Sequence, residues 1–170
     1  DGLAAKYRNH IFAVEPLQGR IMLSQVSPDR SSFKTLDLGG VVTSKDTWFR
    51  PVDIKPAPDG SLFVADMYEA KIAHLGHNDG VIDRDSGRVY RLAARDARPS
   101  RPVDLGKKSS RELIDLLTSD NRWTREMALR LLGDRKDQAI LPELHQRIGK
   151  KNPPAHALAY LWAIHLSGGF

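Results

Sequence analysis

Cysteine is absent from all 170 residues, which excludes disulfides, Cys-ligated zinc, covalently attached haem and thiol catalysis within this stretch and leaves the redox compartment undecided. No apolar run approaches the ~20 residues that a membrane-spanning helix needs. A Gly-rich phosphate loop, a GxSxG elbow, an HExxH helix and a CxxCH haem motif are all missing, so the common phosphate-cradling, serine-nucleophile, zincin and cytochrome signatures do not apply. Charge of one sign is not concentrated either. Net charge is +5, yet Lys and Arg outnumber Asp and Glu by only 13 to 12 over residues 1–95 and by 13 to 9 over 96–170. A nucleic-acid reader shows a stripe of basic residues; here acids are interleaved throughout, which argues against nucleic acid as a partner. Asp1 opens the chain without an initiator Met or a basic-then-apolar leader, so any targeting peptide is expected to lie outside it.

What is present divides into two patterns. Hydrophobic content of 41% with 28% charged residues suits a folded globular chain. Up to residue 95, short apolar runs are separated by turn signals: HIFAV, GRIMLSQV, PVDIK, SLFVAD and GRVYRL. These predict strands of an antiparallel meander. Pro58-Asp59-Gly60 ahead of Ser61–Asp66 is a tight turn feeding a buried strand. Ile11–Val14 followed by Gly19-Arg20-Ile21-Met22 resembles Leu62–Ala65 followed by Gly87-Arg88-Val89-Tyr90, so one hairpin is read twice. A repeat of about 40 to 50 residues built from short strands is the signature of propeller blades. Two blades do not close a ring, and the remaining blades are expected elsewhere in a longer protein.

Residues 96–108 read as a linker, with prolines, alternating charges and little apolar content. Beyond it the period becomes helical. Ser110 is a candidate cap for a helix through Leu113, Ile114, Leu116 and Leu117. Asp120 or Asn121 is a candidate cap for a second through Trp123, Met127, Ala128, Leu131 and Leu132, ending near Gly133. Ile140, Leu141, Leu144 and Ile148 mark a third, and 155–166 a fourth that begins after Pro153-Pro154. The fold class read here is therefore β + α: a partial β-propeller over 1–95, then helical hairpins over 109–170. The last helix is apolar with nothing after it to cover it, so both ends of the chain are expected to be cuts in a larger protein.

The helical part, through RELIDLLTSDNRWTREMALRLLGDR, resembles HEAT-type repeats. Such arrays are scaffolds more often than catalysts, so the residues of this seam are read as core. KYRNHIFAVEPLQGRIMLSQVSPD, and WFRPVDIKPAPDGSLFVADMY followed by DRDSGRVYRL, resemble the closing part of the six-bladed glucose/sorbosone dehydrogenase propellers. Followed by a helical repeat, DTWFRPVDIKPAPDGSLFVADMYEAKIAHLGHNDGVIDRDSGRVYRL is similar to the large membrane-bound dehydrogenase proteins of planctomycete-type bacteria, in which HEAT repeats and a c-type cytochrome domain follow the propeller. The resemblance implies an extracytoplasmic protein, periplasmic or membrane-associated. It also implies oxidation of a sugar or polyol hydroxyl with pyrroloquinoline quinone (PQQ) as cofactor and cytochrome c as electron acceptor. Arg50 falls where the first of two quinone-facing arginines stands, and a guanidinium can grip quinone carboxylates bidentately. The second arginine falls at Val52, and the lysine expected in the preceding blade falls at Leu17. No catalytic residue is assigned, and the isolated stretch is expected to be inactive. The competing reading is a non-catalytic scaffold whose propeller and helices dock a protein or polysaccharide.

Three further groups carry two readings each. Tyr68, His74 and His77 are candidate substrate contacts on a polar loop, and imidazole suits a general base near neutral pH; the plainer reading is a solvated turn. Asp83-Arg84-Asp85-Ser86-Gly87 offers oxygens to calcium, although the alternating ligand run is incomplete and turn formation explains it more simply. Trp48, Phe49 and Tyr68 either stack a sugar or plug the space between sheets. His156 and His165 flank one helix about two and a half turns apart, too far for a metal pair, and no metal site is assigned.

Overall fold

The computed structural model describes every residue except 1, 4, 9, 71, 73–84, 99–102 and 150. The chain forms two compact units, one from Asp1–Ala57 and Ser61–Arg98, the other from Pro58–Gly60 and Pro99–Phe170. The first is built of strands and the second of helices, a mixed β + α architecture.

The β unit contains two antiparallel three-stranded sheets, each a meander in chain order. The first comprises β1 (His10–Glu15), β2 (Arg20–Asp29) and β3 (Ser32–Thr43); the second comprises β4 (Pro51–Pro56), β5 (Leu62–Asp66) and β6 (Arg88–Leu92). Alternation fixes which face is inside: Ile21 and Leu23 of β2, and Val64 and Asp66 of β5, are buried while their neighbours are not. β1 and β2 are joined by a one-turn 3-10 helix at Pro16–Gln18 that ends at Gly19, whose φ of 59° is left-handed. Space also requires glycine there, because a β-carbon would sit 2.9 Å from the Phe49 carbonyl oxygen. The β2–β3 ladder shifts register beside Gly39 and Gly40, with Gly39 at φ 96°; such bulges bend the strand and increase its twist.

β3 is the largest departure from the sequence reading, which assigns no strand to residues 32–43. It is the longest strand of the described residues, yet most of its residues are exposed, including Phe33, Leu36 and Leu38. The two Gly-Arg motifs also differ in position. Arg20 opens a central strand, whereas Arg88 opens an edge strand. Their likeness is therefore one of sequence alone, since Gly19 is left-handed and Gly87 is not, and the matching three-stranded meanders are β1-β2-β3 and β4-β5-β6.

The helical unit contains α1 (Ser110–Leu116), α2 (Arg122–Arg135), α3 (Leu141–Ile148) and α4 (Pro154–Leu166). α1 packs on α2, α3 on α4, and α2 on α4. Their seam is one cluster that includes Leu113, Ile114, Leu117, Ala128, Leu132 and Leu144, each almost wholly buried. Each large aliphatic side chain buried this way contributes roughly 1.5–3 kcal/mol. Ser109, one residue earlier than the sequence reading places it, caps α1 in a reciprocal box with Glu112. Of the two candidates for α2, Asn121 is the cap, accepting from the Thr124 amide at 3.1 Å. α2 runs past Gly133 and ends at Lys136 in a left-handed turn. Its outer face carries the i,i+4 pairs Arg122–Glu126 and Arg130–Asp134. α4 contains no Asp, Glu, Lys or Arg and leaves Leu158, Leu161 and Trp162 exposed. Among the described residues no helix is long and apolar enough to cross a membrane.

Candidate functional site

One end of the second sheet gathers the chemistry. Pro51, Asp66 and Arg88 are cross-strand partners in register, so Arg50 and Tyr68 lie just beyond that row where the strands begin or stop, and Tyr68 meets Arg88 there. The approach to β4 is a compact turn. Asp46 Oδ1 accepts from the Trp48 amide at 3.0 Å, and the Asp46 carbonyl accepts from the Phe49 amide at 3.2 Å. This turn sends two adjacent aromatic side chains to different neighbours. Phe49 is buried and meets Tyr90 edge-on at 5.9 Å, whereas the Trp48 ring lies 5.5 Å from that of Tyr68.

Asp66 organises the backbone around this end. Its Oδ1 accepts from the amides of Arg50 at 2.8 Å and Tyr68 at 2.9 Å. The Met67 amide continues the ladder by donating to the Arg50 carbonyl at 3.0 Å. Asp66 is 3% exposed and its Oδ2 has no hydrogen-bond partner. Tyr68 has φ 51°, a left-handed conformation that a bulky residue adopts only when its surroundings enforce it. Partial burial, followed by the negative charge of Asp66, raises the Tyr90 phenol above its ordinary pKa.

Arg88 is exposed, with Cζ 3.6 Å from the centroid of the Tyr68 ring, a cation–π stack. Contact with the Tyr68 side chain is the first cause of an upward shift in its already high pKa, so the guanidinium stays charged. Arg50 behaves differently. Its two terminal nitrogens donate to the carbonyls of Phe49 and Ala70, each at 2.9 Å. Arg50 thereby ties the segment after β5 back to the turn before β4.

This geometry bears on the quinone expectation. Of the three implied cationic positions, the chain supplies only Arg50, and its terminal nitrogens are already bonded to main-chain carbonyls. Exposed Val52 and Leu17 occupy the other two positions. These side chains do not compose a three-point grip on a polyanionic quinone. Among the described residues no group of three or more His, Asp or Glu side chains could hold a metal.

Of the sequence candidates, Arg50, Tyr68 and Trp48 come together at this end of the sheet. His74, His77 and Asp83 lie outside the described residues. Sequence reasoning missed Asp66 and Arg88. A cue for Arg88 was its place directly after Gly87 at a strand start, level with the end of β5. Asp66 gave no such cue, because an acid closing an apolar strand reads as a turn former.

No curated protein and no solved structure matches the chain. Residues 1–96, which hold both sheets and the whole site just described, match the family described as a domain of unknown function (DUF7133), and the chain belongs to that family.

Proposed function

We propose that this chain is part of an extracytoplasmic dehydrogenase-like protein that oxidises a sugar or polyol hydroxyl and passes the electrons to a cytochrome c. In this reading residues 1–95 are the closing blades of a β-propeller and residues 109–170 begin a HEAT-like array, with the remaining blades and repeats supplied by the rest of the protein. The chain contributes the substrate side. The observation that carries the reading is the Trp48–Tyr68–Arg88 platform at one end of the second sheet. Aromatic faces bind the apolar face of a sugar ring, and a neighbouring cation orients its oxygens. His74 and His77, on the connection that follows Tyr68, are candidate substrate contacts. Pyrroloquinoline quinone is the oxidant in the resembled enzymes, and Arg50 is the one cation this chain has at the implied quinone-facing positions.

The test is dye reduction by the intact protein, assayed over a panel of aldoses and polyols with and without added pyrroloquinoline quinone and calcium. Quinone-dependent turnover is the expected result, and no turnover or quinone binding under any condition rejects the redox assignment. The bonding of Arg50 to two main-chain carbonyls favours a second reading, a non-catalytic scaffold that docks a polysaccharide or a protein. Retained saccharide binding without turnover selects it.

A further inference from the structure

We propose that the Trp48–Tyr68–Arg88 platform is selective for an anionic saccharide, a sugar unit bearing a carboxylate or a sulfate group. The ring packs on the Trp48 side chain, because Arg88 covers the Tyr68 face, and the acid group meets the in-plane N–H donors of Arg88. This inference rests on the saccharide-binding part of the reading above and adds the charge class of the ligand.

Three observations carry it. The first is the donor inventory. Arg88 and the Trp48 indole can only donate, leaving the Tyr68 hydroxyl as the sole side-chain acceptor of the three. A neutral sugar needs acceptors for its hydroxyl protons; an oxyanion needs donors alone. The second is the unspent charge. Among the described residues neither Arg88 nor Arg50 forms an ion pair, and the nearby carboxylate of Asp66 is turned inward onto two amides. Stacking on Tyr68 uses the flat face of the Arg88 guanidinium and leaves its edge, the part that grips carboxylate or sulfate bidentately. The third is strain. Glycine or asparagine would occupy the left-handed position of Tyr68 at lower cost, so its aromatic ring is kept against a conformational penalty.

Calorimetric titration of the full 170-residue chain tests the idea with four probes: polygalacturonate, dextran sulfate, unmodified dextran and polyglutamate. Because the chain is basic, polyglutamate and the variant K151Q on the helical unit measure general charge attraction. The expected result is binding of polygalacturonate or dextran sulfate, whichever acid the site takes, with dextran and polyglutamate much weaker. R88Q should weaken that binding by about tenfold or more, the loss of a charge-assisted contact, while K151Q leaves it unchanged. Y68N, compatible with the left-handed backbone, should weaken it as well. Equal binding by R88Q and the unaltered chain overturns the proposal. So does polyglutamate binding as tightly as the saccharide with the same dependence on Arg88. Dextran binding in preference to both acidic polymers overturns the anion preference and leaves the saccharide reading standing, whereas no binding of any saccharide overturns both.

Discussion

The main-chain amide of Tyr68 donates to Asp66 Oδ1 at 2.9 Å, and this bond helps hold Tyr68 in its left-handed conformation. The same oxygen accepts the Arg50 amide. Asp66→Ala would strand both partly buried donors, at about 1 kcal/mol for each. Asp66→Asn keeps an acceptor and is expected to cost distinctly less. Equal losses of urea midpoint in the two variants would show that the acceptor oxygen is not what matters. Asp66→Asn also removes a negative charge that holds the Tyr90 phenol up, so the pKa of Tyr90 should fall toward its ordinary value in a spectrophotometric tyrosine titration.

Gly19 is required on two counts. Its φ of 59° disfavours any side chain, and a β-carbon would stand 2.9 Å from the Phe49 carbonyl, main chain that cannot swing aside. Gly19→Ala should therefore lose more than the roughly 1–2 kcal/mol that a left-handed L-residue costs. Gly19→Asn recovers part of the conformational cost and none of the collision, so it should fall between the two. Chemical denaturation ranks the three. If the alanine variant is as stable as the original, the turn is not pressed against Phe49.

The strands and helices with a burial period were legible in the sequence, and those held by other forces were not. The runs that carry Ile21, Leu23 and Val64 are short, apolar and bounded by turn signals, and betray their strands. β3 offers Lys34, Thr35 and Asp37 among its apolar residues and buries neither face; its order comes from the ladder with β2, which leaves no periodic trace in one strand alone. At the start of α1, the serines at 109 and 110 look alike. Glu112, three residues after Ser109, is the capping-box partner that distinguishes them. At the candidate site, Trp48 and Tyr68 were visible as aromatics at strand ends. The stack of Arg88 on Tyr68 joins residues twenty positions apart, and the double amide contact of Asp66 depends on β4 and β5 pairing in one register. Both are consequences of tertiary structure.

The α1 capping box makes stability depend on pH. Glu112 accepts the Ser109 amide and hydroxyl and pairs with Lys108; the Ser109 amide is the largest cause of a pKa lowered from 4.5 to about 2. A folded-state value below the unfolded one means the contribution is complete above the unfolded pKa. It is then lost as pH falls from there through about 2. Thermal melting of Glu112→Gln should differ from that of the original chain near neutral pH, and the difference should shrink across that acid window. A constant difference would assign the effect to packing. Ser109→Ala, which removes the cap hydroxyl, should cost about 1 kcal/mol.

Arg147 joins α1 to α3 by bonding Asp115 at 2.5 Å and Glu143 at 2.7 Å, while Arg111 reaches Glu143 at 2.9 Å. Arg147 is the first cause of the lowered pKa of Glu143, and Arg111 the second. Arg147→Ala should raise that pKa without restoring the ordinary value, because Arg111 remains. The side chains of Arg147 and Glu143 are 26% and 21% exposed, so water screens the pair and the expected loss is modest, about 1 kcal/mol. Arg147→Lys keeps the charge but replaces a planar fork with a point donor, and should hold one carboxylate well and the other poorly. Carboxylate titration by NMR reads which one is released. Because Glu143 contributes stability only while ionised, the deficit of Arg147→Ala relative to the original chain should narrow as acid protonates Glu143. A deficit that persists below that point would mean the aliphatic stem of Arg147 matters more than its charge.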